Sequence, residues 1–214
     1  MFLFNINDSS FLDKTDQEVK FRFIGGTNMT IEISEEYKSS LVPFPKETLE
    51  PLNLPTETFE FLTETGLPLH ADYEITPNAP ITFFSMPTIK KYPRLQHQYL
   101  QIGSLDVMGE LAINLTFQSV YQIQIVNDNG YDMAILYLMN YSLSQFVDCL
   151  GLWLSFYPQF RDEIARNLVL DPKFSLFEHE EMYNPILNKL KEVDPKSMRQ
   201  KKFFWRRMCE PDII

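Results

Sequence analysis

Few residues in this 214-residue chain have the types and spacing that catalysis or ligand binding requires. Its three histidines, His70, His97 and His179, lie in unrelated contexts, and His179 lacks a second histidine on the same helix face to complete a zinc site. No Gly-x-Ser-x-Gly nucleophile elbow occurs, and no Gly-Lys-Ser/Thr follows the glycine pair at 25–26 to form a phosphate-binding loop. The sequence therefore predicts no catalytic residue, no cofactor and no enzyme activity.

The carboxylates are the remaining side chains that could act as acids, bases or metal ligands. Glu35-Glu36 and Glu180-Glu181 are adjacent in sequence, which is typical of solvated helix charges and not of an acid–base pair. Asp106, Asp128 and Asp132 fall in predicted sheet turns and offer oxygen ligands, but a calcium loop needs more acids at shorter intervals. We expect no metal site. A hydrolase with an acidic centre that matches no known motif stays open as an alternative.

The cysteines and the apolar runs indicate where the protein resides. Cys149 and Cys209 are too few for a disulfide framework or a zinc site, and Cys149 lies in an apolar run typical of a buried free thiol. Residues 1–7 lack the charged and apolar regions of a signal peptide, and no run reaches the ~18 apolar residues of a membrane span. These features predict a soluble, cytoplasmic protein without membrane contact.

Acidic charge dominates the chain, and its middle part contains no basic residue. The net charge is −10, and residues 95–160 contain no lysine or arginine. Such a surface repels phosphate backbones and attracts basic proteins, so we expect a basic protein partner and no direct nucleic-acid binding. The candidate partner-binding residues are the acids in and beside the predicted sheet turns: Asp106, Glu110, Asp128 and Asp132.

An alternating apolar pattern predicts the sheet that positions these acids. Residues 100–102, 111–115 and 121–125 alternate with period two, as in strands that pack on a core through one face. Asp128-Asn129-Gly130 predicts a tight turn into a fourth strand from Met133 to Leu138. These segments form an antiparallel meander in this prediction, and its other face shows uncharged polar groups: Gln101, Asn114, Gln122 and Gln124.

Helical patterns lie on both sides of this sheet in the sequence. Thr56 predicts the N-cap of a short helix that stops at Gly66, and Ser142 with Gln145 predicts a capping box at the start of a longer helix. The longer helix carries an apolar stripe for the sheet: Leu143, Phe146, Val147, Leu150 and Leu154. Three later helices are predicted, the last of them basic with Phe203, Phe204 and Trp205 in the core: about 158–167, 178–193 and 196–208.

The order of these elements predicts an α+β fold in one domain over residues 1–214. A hairpin of residues 20–24 and 29–33 lies within residues 1–40 in this prediction. The core then covers about residues 41–210, where helices pack on a central antiparallel or mixed sheet. No linker divides the chain.

Short motifs occur in a fixed order over about residues 41–210: Phe61-Leu62, Gly66-Leu67-Pro68, Ile102-Gly103, Asn140-Tyr141-Ser142-Leu143, Asp194-Pro195 and Trp205. This ordered set resembles the SUKH superfamily, in particular its fourth subgroup of bacterial immunity proteins. In that subgroup a short helix precedes Gly-Leu-Pro, a strand ends in isoleucine–glycine, a later helix begins after an asparagine, and Asp-Pro and tryptophan occur near the end.

This resemblance implies a SUKH-like fold and an intracellular protein without catalytic activity. Such a protein binds and neutralises a cognate bacterial toxin, often a nuclease or a nucleic-acid deaminase. Other branches of the superfamily imply an alternative role as a cytoplasmic regulatory or scaffold protein. The acidic charge favours the first role, because an acidic binder is steered toward the basic cleft of a toxin that acts on nucleic acid.

Overall fold

The computed structural model describes residues 31–69, 73–76, 79–176 and 180–209. Its helices are α1 (Glu35–Ser39), α2 (Lys46–Leu49), α3 (Thr56–Glu64), α4 (Leu143–Leu170), α5 (Asn184–Val193) and α6 (Phe204–Met208). Its strands are β1 (Leu41–Val42), β2 (Leu67–Pro68), β3 (Tyr73–Thr76), β4 (Ala79–Lys91), β5 (Gln98–Ser104), β6 (Glu110–Asn114), β7 (Val120–Asp128) and β8 (Tyr131–Asn140). Short 3-10 turns occur at Glu50–Leu52, Asp106–Met108 and Glu180–Tyr183.

Six strands form one antiparallel sheet in the order β3-β4-β5-β6-β7-β8, while β1 and β2 pair with each other in a separate ribbon. The sheet and its helices confirm the α+β prediction. The four predicted strands are β5 to β8, and β4 was not predicted because Pro80 and Pro87 interrupt its pattern. Pro87 lies where the register between β4 and β5 shifts, between Phe83 and Thr88, so its missing N–H removes no regular ladder bond.

The predicted uncharged polar face does not exist as one surface. Gln101 pairs with Ala112 on β6, whereas Gln122 pairs with Leu111, the next residue. Since successive residues of a strand point to opposite faces, Gln101 and Gln122 lie on opposite faces of the sheet. The prediction was wrong because alternation along one strand does not specify its register with the next strand.

Helix α4 covers one face of the sheet and provides the centre of the main core. Four residues of the predicted stripe, Leu143, Phe146, Val147 and Leu150, are buried, and Leu154 packs against them. They lie in one hydrophobic cluster with the sheet residues Leu100, Ile102, Leu111 and Ile113. The prediction of a helix that seals one face of the sheet is confirmed.

The two helices predicted at 143–154 and 158–167 form a single helix of 28 residues that continues through Pro158. A proline inside a helix costs about 3 kcal/mol, because its ring clashes with the preceding turn and its N–H is missing. Trp153 and Phe156 before the proline and Phe160 after it are all buried. Burial of large apolar side chains is worth about 1.5–3 kcal/mol each, so packing outweighs the local penalty.

The opposite face of the sheet carries a second, smaller core. The β4–β5 connection supplies Tyr92, which clusters with Tyr99, Ala112 and Ile123, and all four are buried. The Tyr92 and Tyr99 rings meet edge to face with centroids 5.5 Å apart, and Leu95 packs against the same cluster. This connection therefore lies over the sheet.

The chain ends differ from the predicted helices and hairpin. The first arm of the hairpin, 20–24, lies outside the described residues, and residues 31–34 have no regular structure before α1. The predicted helix 178–193 forms from Asn184 after a 3-10 turn, and the predicted basic helix 196–208 forms only at Phe204–Met208. At α3, Pro55 occupies the N-cap position that Thr56 was predicted to fill.

Candidate functional site

The predicted acidic residues occupy two turns at one end of the sheet. Asp106 is exposed in the turn between β5 and β6, and Asp128 and Asp132 are exposed in the β7–β8 hairpin. Both turns lie at the same end because the strands are consecutive and antiparallel. Asp128 lies five residues beyond Ile123, which pairs with Glu110, so the hairpin extends roughly 17 Å past the first residue of β6 at ~3.4 Å per residue.

The structure therefore places Asp128 and Asp132 near the end of a projecting hairpin and leaves Asp106 at its base. Asp128 pairs with Tyr131 and Asp132 pairs with Asn127, so the two carboxylates point to opposite faces of the hairpin. The tip is a two-residue turn in which Asn129 (φ 53°) and Gly130 (φ 85°) are both left-handed, as a type I′ turn requires. The predicted tight turn is confirmed. Asp132 Oδ1 accepts a hydrogen bond from Asn127 Nδ2 at 3.0 Å, and Asp128 Oδ1 accepts one from Asn129 Nδ2 at 2.9 Å.

Exposed apolar groups accompany these two carboxylates. Tyr131 is 67% exposed and Ile125 is 41% exposed. The guanidinium carbon of Arg94 lies 5.8 Å from the centroid of the Tyr131 ring. Neither Asp128 nor Asp132 forms an ion pair with a described residue. Ile125 lies two residues before Asn127, the partner of Asp132, so each face of the hairpin carries one carboxylate and one exposed apolar side chain.

Glu110 serves a different purpose from the other three acids. Its carboxylate accepts hydrogen bonds from Lys90 Nζ and from the Tyr92 hydroxyl, each at 2.6 Å. Burial, followed by the bond to Glu110, raises the pKa of Tyr92. Both carboxylate oxygens are engaged, so Glu110 fixes the β4–β5 connection over the sheet.

A second acidic surface was not predicted from the sequence. A groove of about 640 Å³ has three exposed glutamates on its rim, Glu32, Glu36 and Glu74, which have no ion pair with a described residue. Tyr37, Tyr73 and Tyr157 line the same groove, and Arg161 is its one basic residue. Three separate chain segments supply these groups, so no local sequence pattern could indicate the groove.

The potential nucleophiles and bases do not form a catalytic arrangement. Burial raises the pKa of the Cys149 thiol to about 12, and its Sγ lies 3.3 Å from the amide nitrogen of Asn140. His97 Nδ1 lies 3.2 Å from the Thr116 hydroxyl, and His70 and His179 lie outside the described residues. Within the described ranges, no three His, Cys, Asp or Glu side chains lie where they could hold a metal ion. No described helix has the length and apolar character to cross a membrane.

Several of the motif residues form a buried polar network that joins distant parts of the chain. Trp205 Nε1 donates to Asn140 Oδ1 at 2.8 Å, and Asn140 Nδ2 donates to Asp194 Oδ2 at 3.2 Å. The backbone N–H groups of Tyr141 and Ser197 also donate to the Asp194 carboxylate, at 3.1 and 3.2 Å. Asn140 and Trp205 are fully buried, as is Asp194. The network ties the end of β8 to the C-terminal segment.

Two motif glycines are required by close backbone packing. A Cβ atom on Gly66, whose φ is +80°, would lie 1.9 Å from the carbonyl oxygen of Val42. A Cβ atom on Gly103 would lie 2.4 Å from the carbonyl oxygen of Thr82. These glycines let β1 approach the end of α3 and let β4 approach β5. These two motif glycines thus act in the packing of the fold and are separate from the exposed acidic residues.

Comparison with known proteins assigns the fold to a family. The family model described as SUKH-4 immunity protein matches residues 32–211, which is most of the chain. No curated protein and no solved structure gives a significant match. The matched range contains the six-stranded sheet, α4 and the buried network that joins Asn140, Asp194 and Trp205. The chain therefore belongs to the SUKH-4 immunity protein family.

Proposed function

We propose that this protein neutralises a cognate bacterial toxin, a nuclease or a nucleic-acid deaminase, by binding it in the cytoplasm. The charge distribution supports a toxin of this class. Residues 95–160 contain no lysine or arginine, and three of their acids are exposed in the two sheet turns. A toxin that acts on nucleic acid needs a basic cleft to hold phosphates. An acidic surface complements such a cleft and competes with the nucleic acid for it.

The proposed contact surface is the hairpin tip together with Asp106 at its base. Asp128 and Asp132 have no ion pair with a described residue, so no such ion pair has to break when a basic partner binds them. Opposite charges accelerate encounter by about 10- to 1000-fold at low salt. Tyr131 and Ile125 provide apolar area next to the charges, and central aromatic anchors account for much of the affinity in typical interfaces.

A charge-neutralising variant tests the contact surface. Asp128→Asn with Asp132→Asn keeps the side-chain shape, and we expect it to lower the association rate with the toxin about three- to tenfold at low salt. The difference should shrink at high salt, because screening removes the attraction. Stopped-flow or surface plasmon resonance measurements at two salt concentrations give these rates.

The matched control is Glu57→Gln with Glu60→Gln. Both glutamates are exposed on α3, and Thr58 of this helix bonds to Gln118 in the β6–β7 turn at the opposite end of the sheet. The control removes the same charge and should leave the association rate much closer to that of the unmodified protein. Equal effects of the two double variants would refute the assignment of the hairpin tip.

A further inference from the structure

Strand β8 forms an edge of the six-stranded sheet. In the described part of the chain it pairs only with β7. Helix α6 packs near its C-terminal half, where the Arg207 guanidinium lies 4.1 Å from the centroid of the Tyr137 ring. The first six residues of the strand, Tyr131–Leu136, precede this contact and are all exposed or half-buried.

The register of the hairpin determines which backbone groups of this edge lack a partner. In a two-residue hairpin the residues that flank the turn, here Asp128 and Tyr131, form a hydrogen-bonded pair. Bonded and non-bonded pairs then alternate, and the register is regular from this pair to Tyr121. The N–H and C=O groups of three residues of the segment therefore point away from β7: Asp132, Ala134 and Leu136.

Among the residues that the structure describes, nothing beyond α6 protects this edge from pairing with another chain. Natural edge strands carry lysines, prolines or bulges, or are covered by another element. Tyr131–Leu136 contains no lysine, arginine or proline, and no register shift occurs there. Asp132 is the one charged side chain, and it lies at the hairpin tip. Such an edge accepts an extended strand, because only a strand can bond to all the outward backbone groups.

We infer that the toxin docks by adding an extended strand to β8 along Tyr131–Leu136, with a basic side chain of that strand beside Asp132. This inference rests on the proposed function and specifies how that surface holds its partner. Charge favours a basic strand over a second copy of this chain, since two chains of net charge −10 repel each other. The added backbone bonds provide affinity, and the side chains next to them provide specificity.

Amide hydrogen exchange tests this inference directly. The isotope-labelled protein is measured alone and with an inactive variant of the candidate toxin, which is the product of the neighbouring gene. We expect the amides of Asp132, Ala134 and Leu136 to exchange at least about tenfold more slowly in the complex. The amides of Met133 and Ile135, which already bond to β7, should change far less.

The outcomes separate this inference from the function on which it depends. A complex without slower exchange at the three outward amides contradicts the strand addition and leaves toxin binding intact. Absence of any complex contradicts the proposed function, and with it this inference. Slow exchange of the same amides in the protein alone, increasing with concentration, shows that a second copy occupies the edge and also contradicts the inference.

A backbone variant provides an independent test. Ala134→Pro removes an outward N–H and no ladder bond, so we expect toxin affinity to fall at least about tenfold. The control Ala134→Ser keeps the N–H and should bind about as well as the unmodified protein. Equal affinity of the two variants contradicts strand addition. If circular dichroism shows that Ala134→Pro does not fold, the amide hydrogen exchange of the unmodified protein decides whether strand addition occurs.

Discussion

At the scale of single residues, the most specific side chains of the family motifs act inside the protein. Asn140 accepts from Trp205 and donates to Asp194, so each of the three satisfies a polar group that would otherwise be buried alone. A buried polar atom without a partner costs about 1–3 kcal/mol. The sequence identified these positions through their resemblance to a family, but their bonds to one another depend on tertiary packing.

Trp205→Phe tests this network. The variant leaves Asn140 Oδ1 without its donor and creates a small cavity, so we expect a loss of about 2–4 kcal/mol in the free energy of unfolding. Urea denaturation measures it. Tyr131→Phe, an exposed aromatic residue, serves as the control and should change stability by less than about 0.5 kcal/mol. A loss as small as that of the control would show that the network does not stabilise the fold.

Cys149 leads to a prediction about pH. Burial raises its pKa to about 12, so at pH 8 almost none of the thiol is ionised, and only the thiolate reacts with alkylating reagents. We expect iodoacetamide to modify Cys149 at least about 100-fold more slowly in the folded protein than in guanidinium. Peptide mass spectrometry reports the extent at this site. Modification of the folded protein at the rate of a free thiol would contradict the buried, neutral state of Cys149.

At the scale of elements, the sequence correctly predicted turns and helix starts that depend on a few neighbouring residues. The type I′ turn at Asn129-Gly130 requires left-handed residues, and the Ser142 side chain accepts from the Gln145 N–H at 3.2 Å, as a capping box predicts. The continuation of α4 through Pro158 and the inclusion of β4 depend on burial against distant segments. Local propensity opposes both, and tertiary packing decides them.

Gly103→Ala tests the close contact between β4 and β5. The added Cβ would lie 2.4 Å from the Thr82 carbonyl oxygen, so backbone must move, and we expect a destabilisation of at least about 2 kcal/mol by chemical denaturation. Gly130→Ala is the matched control. Its Cβ meets nothing within 4 Å, and its left-handed backbone alone costs about 1 kcal/mol. A Gly103→Ala variant no less stable than the control would contradict this packing.

At the scale of the whole molecule, the sequence shows where along the chain the charge lies, but not how the folded protein arranges it in space. The predicted strands and turns placed Asp106, Asp128 and Asp132 between strands, and all three are exposed there. Glu110 could not be distinguished from them, because its partners Lys90 and Tyr92 come from the neighbouring connection. The groove with Glu32, Glu36 and Glu74 requires three segments to meet and has no signal in any one of them.

The most direct test of the proposed function expresses and purifies the product of the neighbouring gene as the candidate toxin and measures its activity against increasing amounts of this protein. We predict that activity on nucleic acid falls to background near an equimolar ratio, as expected for a dissociation constant far below the assay concentration. Full toxin activity at about a tenfold molar excess of this protein would contradict its role as the toxin's inhibitor.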